Sequence, residues 1–147
     1  MSAELVQKLR ELTGAGIMDC KKALQDAAGD LEKAQGLISE RGLAKADKKA
    51  GRETGAGLLE AYIHAGKVGV LLELRSETDF VAMSQPVKDL AHDLAIHIAA
   101  MNPQSVEELL AQPYVKDSSH TVESLLKLTI AKVGENMKVA RFVRYQV

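Results

Sequence analysis

Residues 58–76, LLEAYIHAGKVGVLLELRS, decide how the second half of the chain folds. Val, Leu, Ile and Tyr dominate this stretch, and Ala65-Gly66-Lys67 interrupts it as a turn would. The pattern predicts a β-hairpin with strands at 58–65 and 67–76. The second strand then gives way to SETDFVA, which contains one of the two phenylalanines in a chain without tryptophan.

Helical periodicity follows the hairpin. Apolar residues recur at one-face spacing from Val87 to Met101, and Asn102-Pro103 ends the pattern. A second, shorter helix is predicted at 105–111. These helices are expected to pack on the sheet that the hairpin begins.

The C-terminal part adds one more helix and one more strand. Residues 112–120 are loop-like, Thr121 is predicted to cap a helix, and MKVARFVRYQV, 137–147, predicts a terminal strand. Residues 58–147 are therefore predicted to form an α+β core, in which a small, mostly antiparallel sheet of about three strands packs with helices.

The first 42 residues predict three short amphipathic helices. Their apolar stripes are separated by turns at TGAG, 13–16, and AAGD, 27–30, and Gly42 is predicted to end the third. Such a small bundle, 1–42, is typical of a docking module. Residues 43–57 are basic and glycine-containing, and we interpret them as a linker whose Ala/Lys part can be helical.

Composition indicates a soluble, cytoplasmic protein. The chain is 46% apolar and 27% charged with a net charge of −1, so no global field favours nucleic acid or a membrane surface. The N-terminus, MSAELVQKLREL, lacks an apolar signal-peptide core, and no apolar run reaches the roughly 18 residues of a membrane span. A single cysteine, Cys20, excludes an internal disulfide.

One helix face carries residue types that bind metals. Asp89, Asp93 and His97 recur every four residues beside His92, a spacing that can hold a metal ion. The alternative is a solvated face opposite the leucine stripe, and this alternative is favoured. No metal site is therefore predicted.

Other catalytic chemistry has little support. Cys20 lies between lysines in DCKK, which can activate a thiol, but it also lies on an apolar stripe and is expected to be buried. Zinc-protease, nucleophile-elbow and phosphate-loop motifs are absent from the sequence. We predict a protein that is not an enzyme and needs no cofactor.

Basic residues raise the alternative of RNA binding. A basic stretch at 41–52 and the basic C-terminal strand, 138–144, could contact phosphate. The first stretch has no interleaved aromatics and includes Asp47, so a solvated linker is favoured and no direct nucleic-acid contact is expected. The cations of the first stretch are Arg41, Lys45, Lys48, Lys49 and Arg52.

Two side chains have open interpretations. Phe80, after possible helix caps at Ser76, Thr78 and Asp79, either turns into the core or forms an exposed wedge. Met18, at the start of the second helix, is either an ordinary surface residue or an adaptable partner contact. Its neighbour Ile17 is assigned by spacing to the inward stripe.

Four blocks of the sequence resemble one family. LRELTGAGIMDCKKALQDAAGDLEKA, 9–34, is similar to the N-terminal signature of the elongation factor Ts family, and SETDFVA, 76–82, to its TDFVA motif. YIHAGKVGVLLEL, 62–74, and IAKVGENMKVARFVRYQV, 130–147, resemble further family segments in the same order. The resemblance covers nearly the whole chain.

The resemblance implies a guanine-nucleotide exchange factor for elongation factor Tu, the GTPase that delivers aminoacyl-tRNA. It implies that the N-terminal module is similar to ubiquitin-associated domains and docks on the GTPase through Ile17 and Met18. The implied exchange motif is Thr78, Asp79, Phe80, Val81 and Ala82, with Asp79 and Phe80 intruding beside the magnesium site. His64 matches a family histidine that contacts a second surface of the GTPase.

The chain departs from the family pattern in two places. Met83-Ser84 replaces a basic or Asn-type pair, and the stretch between the long helix and QPYVKD is reduced to QSVEELLA, 104–111. Because so short a chain is not expected to reach both GTPase surfaces, we predict a non-covalent homodimer. In it, one subunit offers Phe80 and the other offers His64.

Overall fold

The computed structural model describes residues 2–147, and the chain begins with three helices. These are α1 (Ala3–Thr13), α2 (Ile17–Asp26) and α3 (Leu31–Asp47). Asp30 caps α3 by accepting a hydrogen bond from the Lys33 amide at 3.0 Å. The helices enclose a small core of Leu9, Cys20, Ala23, Leu24, Ala27 and Ala34.

The predicted hairpin is confirmed. Strand β1 (Ala56–His64) pairs antiparallel with β2 (Val68–Ser76) over its full length. The turn places Ala65 and Gly66 at φ of 51° and 65°. Two successive residues in the left-handed region are typical of the turns whose twist matches a hairpin.

The remaining elements complete an α+β core, as predicted. They are α4 (Asp79–Ala82), α5 (Gln85–Met101), α6 (Val106–Ala111), β3 (Pro113–Tyr114), β4 (Asp117–Thr121), α7 (Val122–Val133) and β5 (Met137–Gln146). The main sheet has the order β1-β2-β5 and is antiparallel throughout. Within residues 2–147, no helix has the combined length and apolarity that crossing a bilayer requires.

The interpretation of residues 112–120 as a loop is wrong. Pro113 pairs with Thr121 and Tyr114 with Asp117, so the segment forms a small β3–β4 hairpin. Its strands are short and polar, and the hairpin is held in place by a contact with α5. The Val115 amide donates a hydrogen bond to His97 Nδ1 on α5 at 3.1 Å.

The inner face of the sheet packs on α5 and α7. Fully buried leucines and an isoleucine from β2 and α5 form the centre of this core, namely Leu72, Leu74, Leu94 and Ile98. Alternation along β2 puts its even-numbered residues inside and its odd-numbered residues outside. The helices therefore cover only one side of the sheet.

The opposite side of the sheet carries an exposed apolar patch beside the ion-paired Glu73, Arg75 and Arg141. We call it the outer sheet face and define it by Leu59, Ile63, Leu71, Val143 and Tyr145, all of which are exposed. The register brings them together, because Ala61, Leu71 and Val143 form one cross-strand row and Ile63, Gly69 and Tyr145 the next.

Gly42 does not end the third helix, contrary to the sequence-based prediction. Helix α3 continues to Asp47, so the start of the predicted linker is helical. Gly42 is buried, and a Cβ atom built there would lie 3.3 Å from Leu128 Cδ2 and 3.5 Å from Ala131 Cβ on α7. The glycine permits close approach of the two helices. The ion pair between Lys127 Nζ and Asp47 Oδ1, at 2.9 Å, joins the same pair of helices.

Candidate functional site: the TDFVA corner and two further surfaces

Phe80 projects into solvent at the turn between β2 and α5. We call residues 78–82 the TDFVA corner. The Phe80 side chain is 88% exposed, so the interpretation of Phe80 as a core residue is wrong. Thr78 caps the single turn of α4, and its hydroxyl accepts a hydrogen bond from the Val81 amide at 3.3 Å.

Burial of the following residues explains why Phe80 points outward. Val81 and Ala82 are buried against the sheet, and successive residues of a helical turn point about 100° apart. The departure from the family pattern at Met83-Ser84 falls where α4 ends. There the Ser84 hydroxyl donates to the Val81 carbonyl at 2.6 Å. The corner is thus held on its inner side and open on its outer side.

A glutamate distant in sequence also holds the corner. The Thr78 amide donates to Glu135 Oε1 at 3.0 Å, and the Thr78 hydroxyl donates to Glu135 Oε2 at 2.7 Å. Glu135 lies in GEN, residues 134–136, the turn between α7 and β5. The contact spans 57 positions, and no periodicity in the sequence indicates it.

Ile17 and Met18 form an exposed apolar pair at the start of α2. Met18 is 73% exposed and Ile17 is 54% exposed, so the assignment of Ile17 to the inward stripe is wrong. The reason is that Cys20, Ala23 and Leu24 already fill the inner face of α2. A shallow groove beside the pair is lined by Val6, Gln7, Arg10, Ile17 and Lys21.

His64 lies at the far end of the sheet from Phe80. It is exposed at the end of β1, where its Nδ1 is 2.9 Å from the Tyr62 hydroxyl. His64 pairs with Val68 at the start of β2, whereas Phe80 follows the end of β2. Nine residues of strand separate the two sites by roughly 27 Å.

The predicted acidic and histidine face of α5 is not a solvated face throughout. His97 is fully buried, with Nε2 2.9 Å from Gln112 Oε1 and Nδ1 accepting from the Val115 amide. Because Nδ1 accepts, the ring proton lies on Nε2. Burial lowers the pKa of His97, and the bond to Gln112 partly opposes that shift.

The neighbours of His97 are engaged in contacts within the chain. Lys116 Nζ binds Asp93 Oδ1 at 2.7 Å, which raises the pKa of Lys116. The Tyr114 hydroxyl is buried without a hydrogen bond of normal geometry. Its pKa is raised, mainly by burial and also by the nearby charge of Asp93. Across residues 2–147, no group of three or more His, Cys, Asp or Glu is placed to hold a metal ion.

Cys20 is a core residue of the three-helix bundle. It is fully buried, and its Sγ lies 3.8 Å from the Ala15 carbonyl and 4.0 Å from the Thr13 hydroxyl. A buried thiol with these neighbours fills space and makes weak hydrogen bonds. The interpretation of Cys20 as a buried side chain is confirmed.

Several cations of the basic segments are engaged in contacts within the chain. Arg41 pairs with Asp26, and Lys45 pairs with Asp19 at 3.0 Å. In the C-terminal strand, the Arg144 guanidinium donates to the Ala99 carbonyl at 3.0 and 3.2 Å. Arg52 and Arg141 make ion pairs with Glu77 and Glu73, at 3.5 Å and 3.0 Å. These contacts reduce the positive charge available to a phosphate backbone.

Exposed apolar side chains at the start of two helices are features of a protein that acts by contacting another macromolecule. Comparison with known proteins identifies the family. The family model described as "Elongation factor TS" matches residues 45–109 and 77–147. The chain belongs to the elongation factor Ts family and is a translation elongation factor.

Individual relatives agree with this assignment. Elongation factor Ts of Alkaliphilus metalliredigens is 41% identical over 192 positions, covering all of this chain and 89% of that protein. The protein of the same name from Coprothermobacter proteolyticus is 42% identical, covering 99% and 97%. That from Nostoc sp. is 49% identical over 146 residues, covering 99% of this chain and 46% of the longer protein.

The alignments also indicate a short form. Those with the first two relatives run over 192 and 191 positions, more than the 147 residues of this chain. Those relatives therefore carry internal residues that this chain lacks. Among residues 2–147, one element, α6, lies between α5 and β3.

Proposed function

We propose that this protein is a guanine-nucleotide exchange factor that promotes GDP release from elongation factor Tu. The observation that carries the proposal is the exposure of Phe80 on a corner fixed by Thr78 and by buried Val81 and Ala82. Exposing a large aromatic side chain to water gives up the burial that usually stabilises a core. A partner pocket that receives Phe80 recovers that burial.

The mechanism follows from how a nucleotide diphosphate is held. The phosphate cradle and Mg²⁺ of a GTPase supply most of the grip, and Mg²⁺ requires near-ideal octahedral ligands. Phe80 inserts between side chains of the GTPase and shifts the element that supports this site. Asp79, exposed beside it, adds negative charge near phosphate or captures a donor that served the phosphate.

The required effect is modest in energy. Losing phosphate contacts worth about 4 kcal/mol weakens GDP binding about 10³-fold. By linkage, GDP weakens the grip of this protein on the GTPase by the same factor. The protein therefore speeds exchange without chemical turnover, which agrees with the proposal that it is not an enzyme and uses no cofactor.

Docking and exchange use separate surfaces in this proposal. Ile17 and Met18 dock the N-terminal module, residues 1–42, on the nucleotide domain of the GTPase. His64 contacts a second surface. Because His64 and Phe80 lie at opposite ends of the sheet, a single chain reaches both surfaces only if they are about as far apart as the sheet is long.

A homodimer resolves this spacing, and the outer sheet face is its proposed interface. Five exposed apolar side chains on a three-stranded sheet form a patch that a second copy can cover by sheet-on-sheet packing. A two-fold pair presents every surface twice, so one subunit offers Phe80 while its partner offers His64.

An RNA-binding role is the second candidate, resting on residues 41–52 and 138–144. Ion pairs and backbone contacts occupy five of the cations in these segments. The exposed apolar surfaces, by contrast, suit a protein partner. We therefore favour the exchange factor, acting in the cytoplasm where translation takes place.

The direct test is release of fluorescent GDP from elongation factor Tu with and without this protein. We expect the release rate to rise with its concentration and to saturate. A release rate that stays at its spontaneous value at tens of micromolar protein would overturn the proposal. A parallel RNA-binding titration at two salt concentrations tests the second candidate.

A further inference from the structure

We propose that Glu135 is a positioning residue for nucleotide exchange and that Asn136 supports it. The proposal deepens the proposed function and rests on it. Neither residue belongs to the TDFVA motif. Both lie in the turn between α7 and β5, and both bind the segment from which Phe80 projects.

The Glu135 carboxylate grips Thr78 through both of its oxygens. One oxygen accepts from the Thr78 amide at 3.0 Å and the other from the Thr78 hydroxyl at 2.7 Å. Hydrogen bonds to a carboxylate are roughly twice as strong as neutral ones. The same hydroxyl accepts from the Val81 amide, so the grip fixes the cap of α4 and therefore the direction of Phe80.

Asn136 ties the other side of the corner to the segment that follows α3. Its buried side-chain amide donates to the Arg52 carbonyl at 2.8 Å and to the Ala50 carbonyl at 3.3 Å. Its backbone amide donates to Glu77 Oε1 at 2.8 Å. Glu77 immediately precedes Thr78. The GEN turn is thus bonded both to the base of the corner and to the chain leaving the N-terminal module.

Such a clamp serves exchange because Phe80 has no packing of its own in the free protein. An exposed side chain on a one-turn helix would sample many orientations. Restricting Phe80 to one of them on binding costs free energy, which weakens its binding to the GTPase conformation that releases GDP. A preset corner fixes the backbone from which Phe80 projects, so that only the side-chain rotamer remains to be ordered on binding. The effect belongs to the exchange step, since docking depends on Ile17 and Met18.

The first test compares Glu135→Gln with the matched exposed control Glu107→Gln on α6. The amide introduced by Glu135→Gln keeps the size of the side chain but removes its charge. If its oxygen still accepts from the Thr78 amide, its Nε2 takes the place of the second carboxylate oxygen and cannot accept from the Thr78 hydroxyl. In GDP release, we expect the saturating rate to fall about tenfold with the half-saturating concentration changed less than twofold. Glu107→Gln should match the wild type in both. A rate for Glu135→Gln within twofold of wild type overturns the proposal.

A second measurement separates positioning from stability and needs no GTPase. In the free protein, the amide order parameters of Asp79 and Phe80 should fall from about 0.85 toward 0.6 in Glu135→Gln. Those of Phe142 in β5 should not change. A variant that melts earlier but keeps rigid order parameters at residues 79 and 80 shows that Glu135 only stabilises the fold.

A double-substitution cycle with Thr78→Ala tests that the two residues act as one unit. The doubly substituted protein should be no slower at saturation than the slower single variant. Multiplicative losses overturn the clamp. If the wild type itself fails to speed GDP release, the proposed function fails, while the order parameters still decide whether Glu135 holds the corner.

Discussion

His97 is a buried imidazole that joins α5 to the β3–β4 hairpin. It accepts a hydrogen bond from the Val115 amide and donates one to Gln112, and its ring stacks on Tyr114 with centroids 5.9 Å apart. Protonation would turn the accepting nitrogen into a donor that faces another donor. The folded protein therefore favours the neutral ring, in agreement with its lowered pKa.

We expect this group to make stability depend on pH in one direction. The unfolded chain, with a histidine pKa near 6.5, binds the proton that the folded chain resists. Its contribution is complete above about pH 6.5 and is lost as the pH falls below that value toward the lower folded pKa. The slope is at most about 1.4 kcal/mol per pH unit for one proton.

Urea unfolding of wild type and His97→Gln at several pH values between about 7 and 5 checks this expectation. The difference in free energy of unfolding between the two should shrink as the pH falls, because the variant lacks the titrating ring. A difference that stays constant or grows toward acid would contradict the assigned state of His97.

Sequence patterns identified residue types better than residue environments. TDFVA could be located from the sequence, yet whether Phe80 turned inward depended on Val81 and Ala82 occupying the core. Ile17 and His97 were assigned to the wrong environment because helical spacing alone cannot say how wide a buried face is. Glu135 could not be found, since its contact joins distant parts of the chain.

At the scale of elements, the approach of α3 to α7 depends on one glycine. A Cβ atom at Gly42 would already lie 3.3 Å from Leu128 Cδ2, so a larger side chain would clash with α7. Gly36, on the same helix, is exposed, and a Cβ atom built there would have no neighbouring atom within 4 Å. The two glycines therefore separate the packing effect from the helix-propensity effect of the same substitution.

We predict opposite results for leucine at these two positions. Gly42→Leu should lower the free energy of unfolding by about 1–3 kcal/mol through overpacking. Gly36→Leu should raise it by roughly 0.5–1 kcal/mol, because glycine is a poor helix former. Thermal or urea unfolding measures both, and equal shifts of one sign would contradict close packing of α3 on α7.

Elements with strong local signals were predictable from the sequence. The β1–β2 hairpin and α5, with its stop at Asn102, follow from composition, periodicity and turn residues. The end of α3 and the β3–β4 hairpin do not. Glycine is a common signal for a helix end, but Gly42 instead permits close packing. Residues 113–121 form a strand pair that is fixed by contacts to α5 and not by an apolar pattern of its own.

At the scale of the whole molecule, the outer sheet face is the proposed dimer interface. Leu71 lies at its centre, paired with Ala61 on one side and Val143 on the other. We expect Leu71→Glu to convert the proposed dimer into a monomer, since it would bury an unpaired charge in the interface. Met83→Glu, at an exposed methionine away from this face, should not.

Light scattering coupled to size exclusion measures the masses at micromolar concentration. The wild type should show about twice the mass of one 15.9 kDa chain, unchanged by reductant because the one cysteine is buried. A wild type of single-chain mass at tens of micromolar, still fully active in exchange, would contradict the dimer.

The central claim is that Phe80 drives exchange while Met18 serves docking. The most direct measurement is the dependence of GDP release from elongation factor Tu on the concentration of wild type, Phe80→Ala and Met18→Ala. Phe80→Ala should melt like the wild type and lose most of the saturating rate, about tenfold or more. Met18→Ala should keep that rate and need more protein to reach it. A Phe80→Ala protein that melts several degrees lower and keeps the full saturating rate would contradict the account.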